Sequence, residues 1–332
     1  MKKILLITVL ACTTIAVATA LYRYDNILAG EPVEVIPDYV ETNPAKVALG
    51  KKMFNDTRIS LDNTISCATC HVLEDGGADH ADERVSEGIN GLQGTVNSPT
   101  VFNAVFNIDQ FWNGRAHTLA EQAAAPPINP VEMGDQTWEQ IIERLCQDAS
   151  LVAEFKAIYP EEGLTEATVT DAIEEYEKTL ITPNDKLDRY LKGDKNAMSA
   201  EELAGYQAFK ANDCATCHYG KTLGGQSFEL MSKYGDYFAD RKQSRPDIAY
   251  NDDDNGLYSF TGKAEDMHKF KVPNLRNISK TAPYYHDGTI ESLEEAVRLM
   301  FHYELGKTVT DEQVASITTF LKALDGESEY FE

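Results

Sequence analysis

The 332-residue sequence predicts a mainly α-helical fold built from two units. Apolar residues follow helical spacing in residues 169–180 and again in 314–324, so both segments are predicted to be amphipathic helices. Few segments alternate apolar and polar residues in the way that half-buried strands do. A Thr-Pro-Asn-Asp stretch at 182–185 interrupts the helical pattern, and we place a domain boundary there. The predicted units are residues 21–183 and 184–332.

A pentapeptide, Cys-Ala-Thr-Cys-His, occurs at residues 67–71 and again at 214–218. Cys-x-x-Cys-His is the attachment signature of c-type haem, in which both sulfurs bind the porphyrin and the histidine ligates the iron. Two cysteine pairs could instead build one zinc site, but that alternative leaves the identical trailing histidines unexplained. We therefore predict two covalent haems, bound by Cys67, Cys70, His71, Cys214, Cys217 and His218. Of the two other cysteines, Cys12 lies in an apolar N-terminal run, and Cys146 is expected to be a buried, unreactive residue.

Each pentapeptide follows a Gly-x-x-x-Phe pattern on a predicted helix. The first pattern contains Gly50 and Phe54, and the second contains Gly205 and Phe209. A glycine allows two helices to cross at close range because it has no side chain. The repeat favours two cytochrome c-like haem domains packed around an interdomain interface.

The formal net charge of −24 limits the classes of partner. A strongly acidic chain is repelled by nucleic acid and by anionic membrane surfaces, so neither is expected to bind. The charge serves solubility, or it forms an acidic docking face for a basic electron donor.

Residues 1–20 are typical of an export signal. Two lysines precede an apolar run, and an Ala-Thr-Ala stretch before residue 21 is a suitable cleavage site. The alternatives are an uncleaved membrane anchor, since residues 4–21 are long enough to span a bilayer, and a lipoprotein signal with Cys12. All three predict a periplasmic location for the globular part.

Further motifs follow each haem motif. The first is followed by a segment at 96–106, by Gln-Phe-Trp-Asn-Gly-Arg-Ala at 110–116 and by Asn-Pro-Val-Glu-Met at 129–133. The second is followed by Phe-Lys-Val-Pro-Asn-Leu-Arg-Asn at 270–277 and by Thr-Ala-Pro-Tyr-Tyr-His-Asp-Gly at 281–288. In this order the motifs resemble those of the bacterial di-haem cytochrome c peroxidases over about residues 44–324.

The resemblance implies different roles for the two haems. His71 would be the proximal ligand of an N-terminal haem that binds peroxide. His218 and Met300 would ligate a C-terminal haem that accepts electrons, and His/Met ligation raises its reduction potential. Without the resemblance Met300 would be interpreted as helix core, and Met267 and His268 are the rival ligands.

The resemblance also implies the catalytic and calcium-binding residues. Breaking the O–O bond of peroxide needs a proton moved between its oxygens, which a carboxylate near the iron can do. Glu132 matches that acid/base, Gln122 its distal neighbour and Trp112 the aromatic residue between the haems. A calcium ion at the interface would be bound by Asn97, Thr281 and Pro283. Candidate partners for the haem propionates are His286, Arg115 and Arg276.

Two positions depart from the family pattern. Many members carry a distal histidine that caps the N-terminal iron until the other haem is reduced, and Ile89 stands at the equivalent position here. Either His80 caps the iron through a shifted loop, or the iron is open from the start; we favour the open iron. Asn113 replaces the usual aspartate next to Trp112 and leaves the other assignments intact.

The leading hypothesis is a peroxidase that reduces hydrogen peroxide to water with electrons from a small cytochrome c or a cupredoxin. A related di-haem oxidase that acts on a protein substrate is an alternative, although such relatives have tyrosine where Met300 stands. A non-enzymatic di-haem electron carrier is the other alternative. Family members are often homodimers, so a homodimer is possible.

Overall fold

The computed structural model describes residues 30–79 and 83–331. This part of the chain is mainly helical, which confirms the predicted fold class. The predicted export signal, Cys12 and His80 lie outside the described residues. Within the described ranges, none of the helices combines the length and the hydrophobicity needed to cross a bilayer.

The α-helices of the first half of the chain are α1 (Pro44–Phe54), α2 (Cys67–Cys70), α3 (Leu119–Ala123), α4 (Trp138–Leu145), α5 (Ala149–Ile158) and α6 (Glu166–Glu177). Those of the second half are α7 (Lys186–Leu191), α8 (Ala200–Ala211), α9 (Tyr237–Ser244), α10 (Tyr258–Thr261), α11 (Leu293–Tyr303) and α12 (Asp311–Leu321). Two short strands, β1 (Phe228–Leu230) and β2 (Lys269–Lys271), pair antiparallel.

The first hydrophobic core forms where α1 packs against α6. The Asn43 side chain caps α1 by accepting a hydrogen bond from the N–H of Ala45 at 3.0 Å. At the crossing, a Cβ on Gly50 would lie 1.8 Å from the carbonyl oxygen of Ala172, so only glycine fits. The two helices can therefore approach closely, as the repeated glycine pattern predicts.

The second core repeats this arrangement with α8 and α12. A capping box joins Ser199 and Glu202 at the start of α8, where the Ser199 N–H donates to the Glu202 carboxylate at 2.7 Å. A Cβ on Gly205 would lie 2.1 Å from the carbonyl oxygen of Ser316 on α12. The two halves of the chain thus build two similar helix crossings, each next to one Cys-x-x-Cys-His motif.

The ends of the described chain cross between the two cores. Val33 packs in the second core and forms a parallel bridge with Gly220, although residue 33 lies in the predicted N-terminal unit. Phe331 packs against Phe102 of the first core, with ring centroids 5.0 Å apart. The boundary near residue 183 stays a prediction, and each end of the chain ties one half to the other.

Replacing Gly205 with alanine is expected to lower the free energy of unfolding by about 1–3 kcal/mol. The gain in helix propensity is about 1 kcal/mol, but the new methyl group would overlap the backbone of α12 and force the two helices apart. Chemical unfolding of the holoprotein measures the loss. The control is Gln207→Ala at an exposed position of the same helix, which is expected to change stability by less than about 0.5 kcal/mol. Equal stability of both variants would show that the crossing tolerates a methyl group.

Candidate active site

Two cavities open next to the two Cys-x-x-Cys-His motifs. The N-terminal cavity, of about 280 Å³, is lined by Cys67, Cys70 and His71. The C-terminal cavity, of about 370 Å³, is lined by Cys214, Cys217 and His218. None of these four cysteines forms a disulfide, so all four thiols are available for attachment.

Each motif histidine is oriented by a backbone carbonyl. His71 Nδ1 lies 3.2 Å from the Gly77 carbonyl oxygen, and His218 Nδ1 lies 3.0 Å from that of Leu223. A hydrogen bond at Nδ1 leaves Nε2 as the nitrogen available to a metal, the arrangement typical of metal-ligating histidines. Burial lowers the pKa of both imidazoles, which favours the neutral form that binds metals. These residues therefore fit a c-type haem in each cavity.

Glu132 lies in the wall of the N-terminal cavity. Asn129 donates a hydrogen bond from Nδ2 to Glu132 Oε1 at 2.6 Å, and the Asn129 carbonyl accepts from Met133 at 3.1 Å, so one residue organises the turn that carries the carboxylate. Burial raises the pKa of Glu132, while the Arg115 cation and the Asn129 amide oppose that rise. The result is a partly buried, hydrogen-bonded carboxyl group whose pKa lies above its ordinary value.

Gln122 and Arg115 line the same cavity as Glu132. Gln122 is held by the short helix α3, which Thr118 caps by accepting a hydrogen bond from the Glu121 N–H at 3.0 Å. The guanidinium of Arg115 stacks on the ring of Phe111, 3.3 Å from its centroid. The cavity thus brings together an acid, an amide and a cation from three separate segments.

Glu177 is a further carboxyl group of the N-terminal cavity that the sequence analysis did not single out. It lies at the end of α6, is 4% exposed, and its Oε2 has no hydrogen-bond partner. Burial, followed by the charge of Glu174, raises the pKa of Glu177 to about 8. Glu177 follows two other glutamates, Glu174 and Glu175, and such runs of acids are usually exposed to solvent. The local sequence therefore does not predict that Glu177 is buried.

The two cavities share a wall. Asn97, Ser98, Pro99 and Thr100 line both of them. Trp112 lines the C-terminal cavity and donates a hydrogen bond from its indole N–H to the carbonyl oxygen of Asn97 at 2.9 Å. The indole is therefore fixed against the segment that separates the two cavities.

Met300 projects from α11 into the lining of the C-terminal cavity, which also contains His218. The rival sulfur and imidazole, those of Met267 and His268, do not line this cavity. His268 instead lies near Tyr250, whose hydroxyl is 2.9 Å from its Nε2. Met300 is thus better placed than its two rivals to reach a group held by His218.

Asn97, Thr281 and Pro283 also line the C-terminal cavity together, although they come from two distant segments. Asn97 donates from Nδ2 to the Arg84 carbonyl at 3.2 Å, which leaves Oδ1 as the amide atom that could face a cation. Amide and carbonyl oxygens are ligands that Ca²⁺ accepts. The donor set is compatible with calcium.

Two of the candidate propionate partners are engaged elsewhere. Arg276 is fully buried and pairs with Asp185 and with Asp188, the latter at 2.9 Å, so this interpretation of Arg276 is wrong. His286 lines the C-terminal cavity, but its Nε2 lies 2.8 Å from Asp254 Oδ1. These contacts assign Arg276 to a buried ion pair within the predicted C-terminal unit and commit Nε2 of His286 to a carboxylate.

Asp254 and Asp287 come within range of one another beside His286, in a grouping that could hold a metal. The Arg241 guanidinium occupies their centre instead, with Nη1 2.7 Å from Asp254 and 2.6 Å from Asp287. All four side chains are buried. The cluster is therefore an ion network, which the sequence analysis missed because its members lie in three different segments.

Two other sequence predictions concern Cys146 and Ile89. Cys146 is exposed at the end of α4, so its predicted burial is wrong; the apolar face of α4 ends one residue earlier, at Leu145. The Ile89 side chain is buried outside the N-terminal cavity, and Gly88 lines the cavity in its place. Among the described residues that line this cavity, His71 is the only histidine. The open N-terminal iron stays a prediction.

The fold and the paired motifs define a di-haem cytochrome of the peroxidase type, and comparison with known proteins identifies the family. The family model of di-haem cytochrome c peroxidases matches residues 44–196. A cytochrome c551 peroxidase of Nitrosomonas europaea is 38% identical over 91% of this chain and 86% of its own length. The chain therefore belongs to the di-haem cytochrome c peroxidase family of oxidoreductases.

Two other relatives give the same result. The cytochrome c peroxidase Ccp of Escherichia coli is 46% identical over 89% of this chain, and the match spans 61% of the length of that relative. Among solved structures, a MauG-like protein associated with microbial copper homeostasis aligns with a TM-score of 0.75 and 26% identity, covering 89% of this chain and 96% of its own. The chain thus shares its architecture with this MauG-like protein.

Proposed function

We propose that this protein reduces hydrogen peroxide to water, using electrons that enter at the C-terminal cavity and are used at the N-terminal cavity. The observation that carries the proposal is the difference between the cavities. Among the described residues, the acid Glu132 and the amide Gln122 line the N-terminal cavity, next to its Cys-x-x-Cys-His motif, and do not line the C-terminal one. Methionine Met300 faces the other cavity instead. One cavity is thus equipped for proton transfer and the other for electron transfer.

Covalently bound haem in each cavity would supply one-electron redox chemistry and an iron at which peroxide binds. The protein residues then manage the protons. The Glu132 carboxylate accepts the proton of the inner peroxide oxygen and returns it to the outer oxygen, so that water is the leaving group. Gln122 donates a hydrogen bond that orients the peroxide. With two electrons and two protons, one peroxide yields two water molecules.

Electrons cross between the cavities at the shared wall, where Trp112 is fixed by the Asn97 carbonyl. We propose that His218 and Met300 would hold the iron of the electron-accepting haem, and that His71 would hold the iron of the other. The donor is a small cytochrome c or a cupredoxin, and the acidic surface of the chain favours a basic docking face on that donor. The protein is exported to the periplasm, where such donors are found.

We further propose one calcium ion at the shared wall, bound by the amide of Asn97 and the carbonyl oxygens of Thr281 and Pro283. The support is that these three residues line one cavity although they are far apart in sequence. Because Asn97 also holds Trp112, the ion would stabilise the contact between the two cavities.

The proposed function is tested with holoprotein purified after export. The fully reduced protein is mixed with hydrogen peroxide, and reoxidation is followed optically, with EPR spectra of the oxidised and half-reduced states. One peroxide is expected to remove two electrons rapidly, and chelation of calcium is expected to slow turnover reversibly. If both haems are low-spin in every redox state and do not react with peroxide, the proposed peroxidase function is wrong. The protein would then be a simple electron carrier.

A further inference from the structure

Lys271 is a buried cation that has no anionic partner in the described protein. It lies on β2 and is 6% exposed. The other two fully or nearly fully buried cations, Arg241 and Arg276, each pair with two carboxylates. For Lys271 the field of Asp109 is the single opposing charge, and Asp109 is itself paired with a histidine at 2.6 Å.

Lys271 lines the C-terminal cavity. Of the three acids in the same lining, Glu229 lies 3.3 Å from Lys233, Glu304 accepts a hydrogen bond from the Ser232 N–H at 2.8 Å, and Asp213 is exposed. Burial lowers the pKa of Lys271 to about 8, which reflects the cost of an ammonium group removed from water without a counter-charge. A buried charge of this kind calls for an anion in the cavity that it faces.

We propose that the ammonium group of Lys271 pairs with a propionate carboxylate of the C-terminal haem. This inference rests on the proposed function, because it takes the cavity to hold a c-type haem. Such a haem carries two propionate carboxylates. Its thioethers would form with Cys214 and Cys217, so those two cysteines are not available to neutralise the carboxylates. Lys271 is then a haem-binding residue of the C-terminal half of the chain.

The backbone of Lys271 gives the pair a second consequence. Its N–H donates to the carbonyl oxygen of Trp112 at 2.9 Å, and the neighbouring Phe270 stacks on His286 with ring centroids 4.3 Å apart. Lys271, which would neutralise the propionate, is therefore also hydrogen-bonded through its backbone to Trp112, the residue proposed to carry electrons. Lys271 holds the haem edge and the indole in one fixed arrangement.

The test is a spectroelectrochemical titration of the holoprotein. In Lys271→Met the propionate loses its counter-charge, so the ferric form is favoured and the potential of the C-terminal haem falls. We expect the ratio of reduced to oxidised haem at a fixed potential to drop about tenfold, which is about 59 mV for one electron. Lys271→Arg keeps the charge and is expected to stay within about twofold of the wild type. The potential of the N-terminal haem is expected not to move.

The matched control is Lys269→Met. Lys269 lies two residues away on the same strand, but it does not line the cavity, and it pairs with Asp266 at 3.1 Å. A shift in Lys271→Met no larger than the shift in this control would overturn the inference. If Lys271→Met does not accumulate as holoprotein, Lys271→Gln is compared with Lys271→Arg in the same titration. A haem content below two per chain in the wild type would instead contradict the proposed function.

Discussion

Replacing Glu132 with glutamine is expected to slow peroxide turnover by about 10²–10⁴-fold, the range typical for the loss of a general acid/base. Glutamine fills the same space and can still accept the hydrogen bond from Asn129, but it can neither take up nor return a proton. The rate is measured both as steady-state turnover and as reoxidation of the reduced holoprotein by one equivalent of peroxide. Haem spectra and potentials are expected to match those of the wild type.

The pH profile separates a proton-transfer role of Glu132 from a structural one. Burial raises the pKa of Glu132, so the catalytic carboxylate form is lost as pH falls through a value above the ordinary one for glutamate. The wild-type rate therefore decreases on the acid side of that value, and Glu132→Gln lacks this limb. Glu121→Gln, at an exposed position beside Gln122, is the control and is expected to keep the wild-type profile. If the turnover rate of Glu132→Gln lies within about threefold of the wild-type rate, Glu132 is not the general acid/base.

Local patterns were sufficient to predict the features that depend on nearby residues. Apolar spacing predicts the amphipathic helices at 169–180 and 314–324, and the Gly-x-x-x-Phe pattern predicts the helices of Gly50 and Gly205 that cross them, because both signals are encoded within a few turns. The same holds for the Cys-x-x-Cys-His motifs, whose function needs five adjacent residues. Glu132 was selected by its resemblance to the family, and the structure places it in the cavity of the first motif.

The features that the sequence analysis missed depend on contacts between distant segments. Glu177 and Lys271 are charged residues, whose side chains normally face water, and contacts with distant segments bury them in the fold. The segment before α1 belongs by sequence to the first half, yet the Ile36 N–H donates to Asp188, 152 positions away. Arg276 pairs with the same Asp188. Because this partner is distant in sequence, no local pattern distinguishes Arg276 from a haem-binding arginine.

Replacing Arg276 with methionine is expected to reduce the free energy of unfolding by about 3–5 kcal/mol. The change leaves two fully buried carboxylates, Asp185 and Asp188, without their cation, and breaking a buried ion pair on one side has a cost of that order. It also removes the hydrogen bond from Arg276 to the Glu34 carbonyl at 3.0 Å, which ties down the segment before α1. Thermal and chemical unfolding of the holoprotein measure the loss, with Arg245→Met as control. Arg245 pairs with Asp247 at the exposed surface, where a salt bridge contributes about 0–1 kcal/mol.

The loss caused by Arg276→Met is expected to be smaller at acidic pH. Burial raises the pKa of Asp188 to about 6 even though Arg276 lowers it, so the native protein binds this proton more tightly than the unfolded chain does. Stability from this group is therefore present at low pH and is lost as pH rises from about 4 to about 6. Without the cation the folded pKa of Asp188 rises further, and protonation relieves the unpaired charge as pH falls. A destabilisation that is equal at pH 5 and pH 8 would mean that packing of the Arg276 side chain, rather than its charge, stabilises this contact.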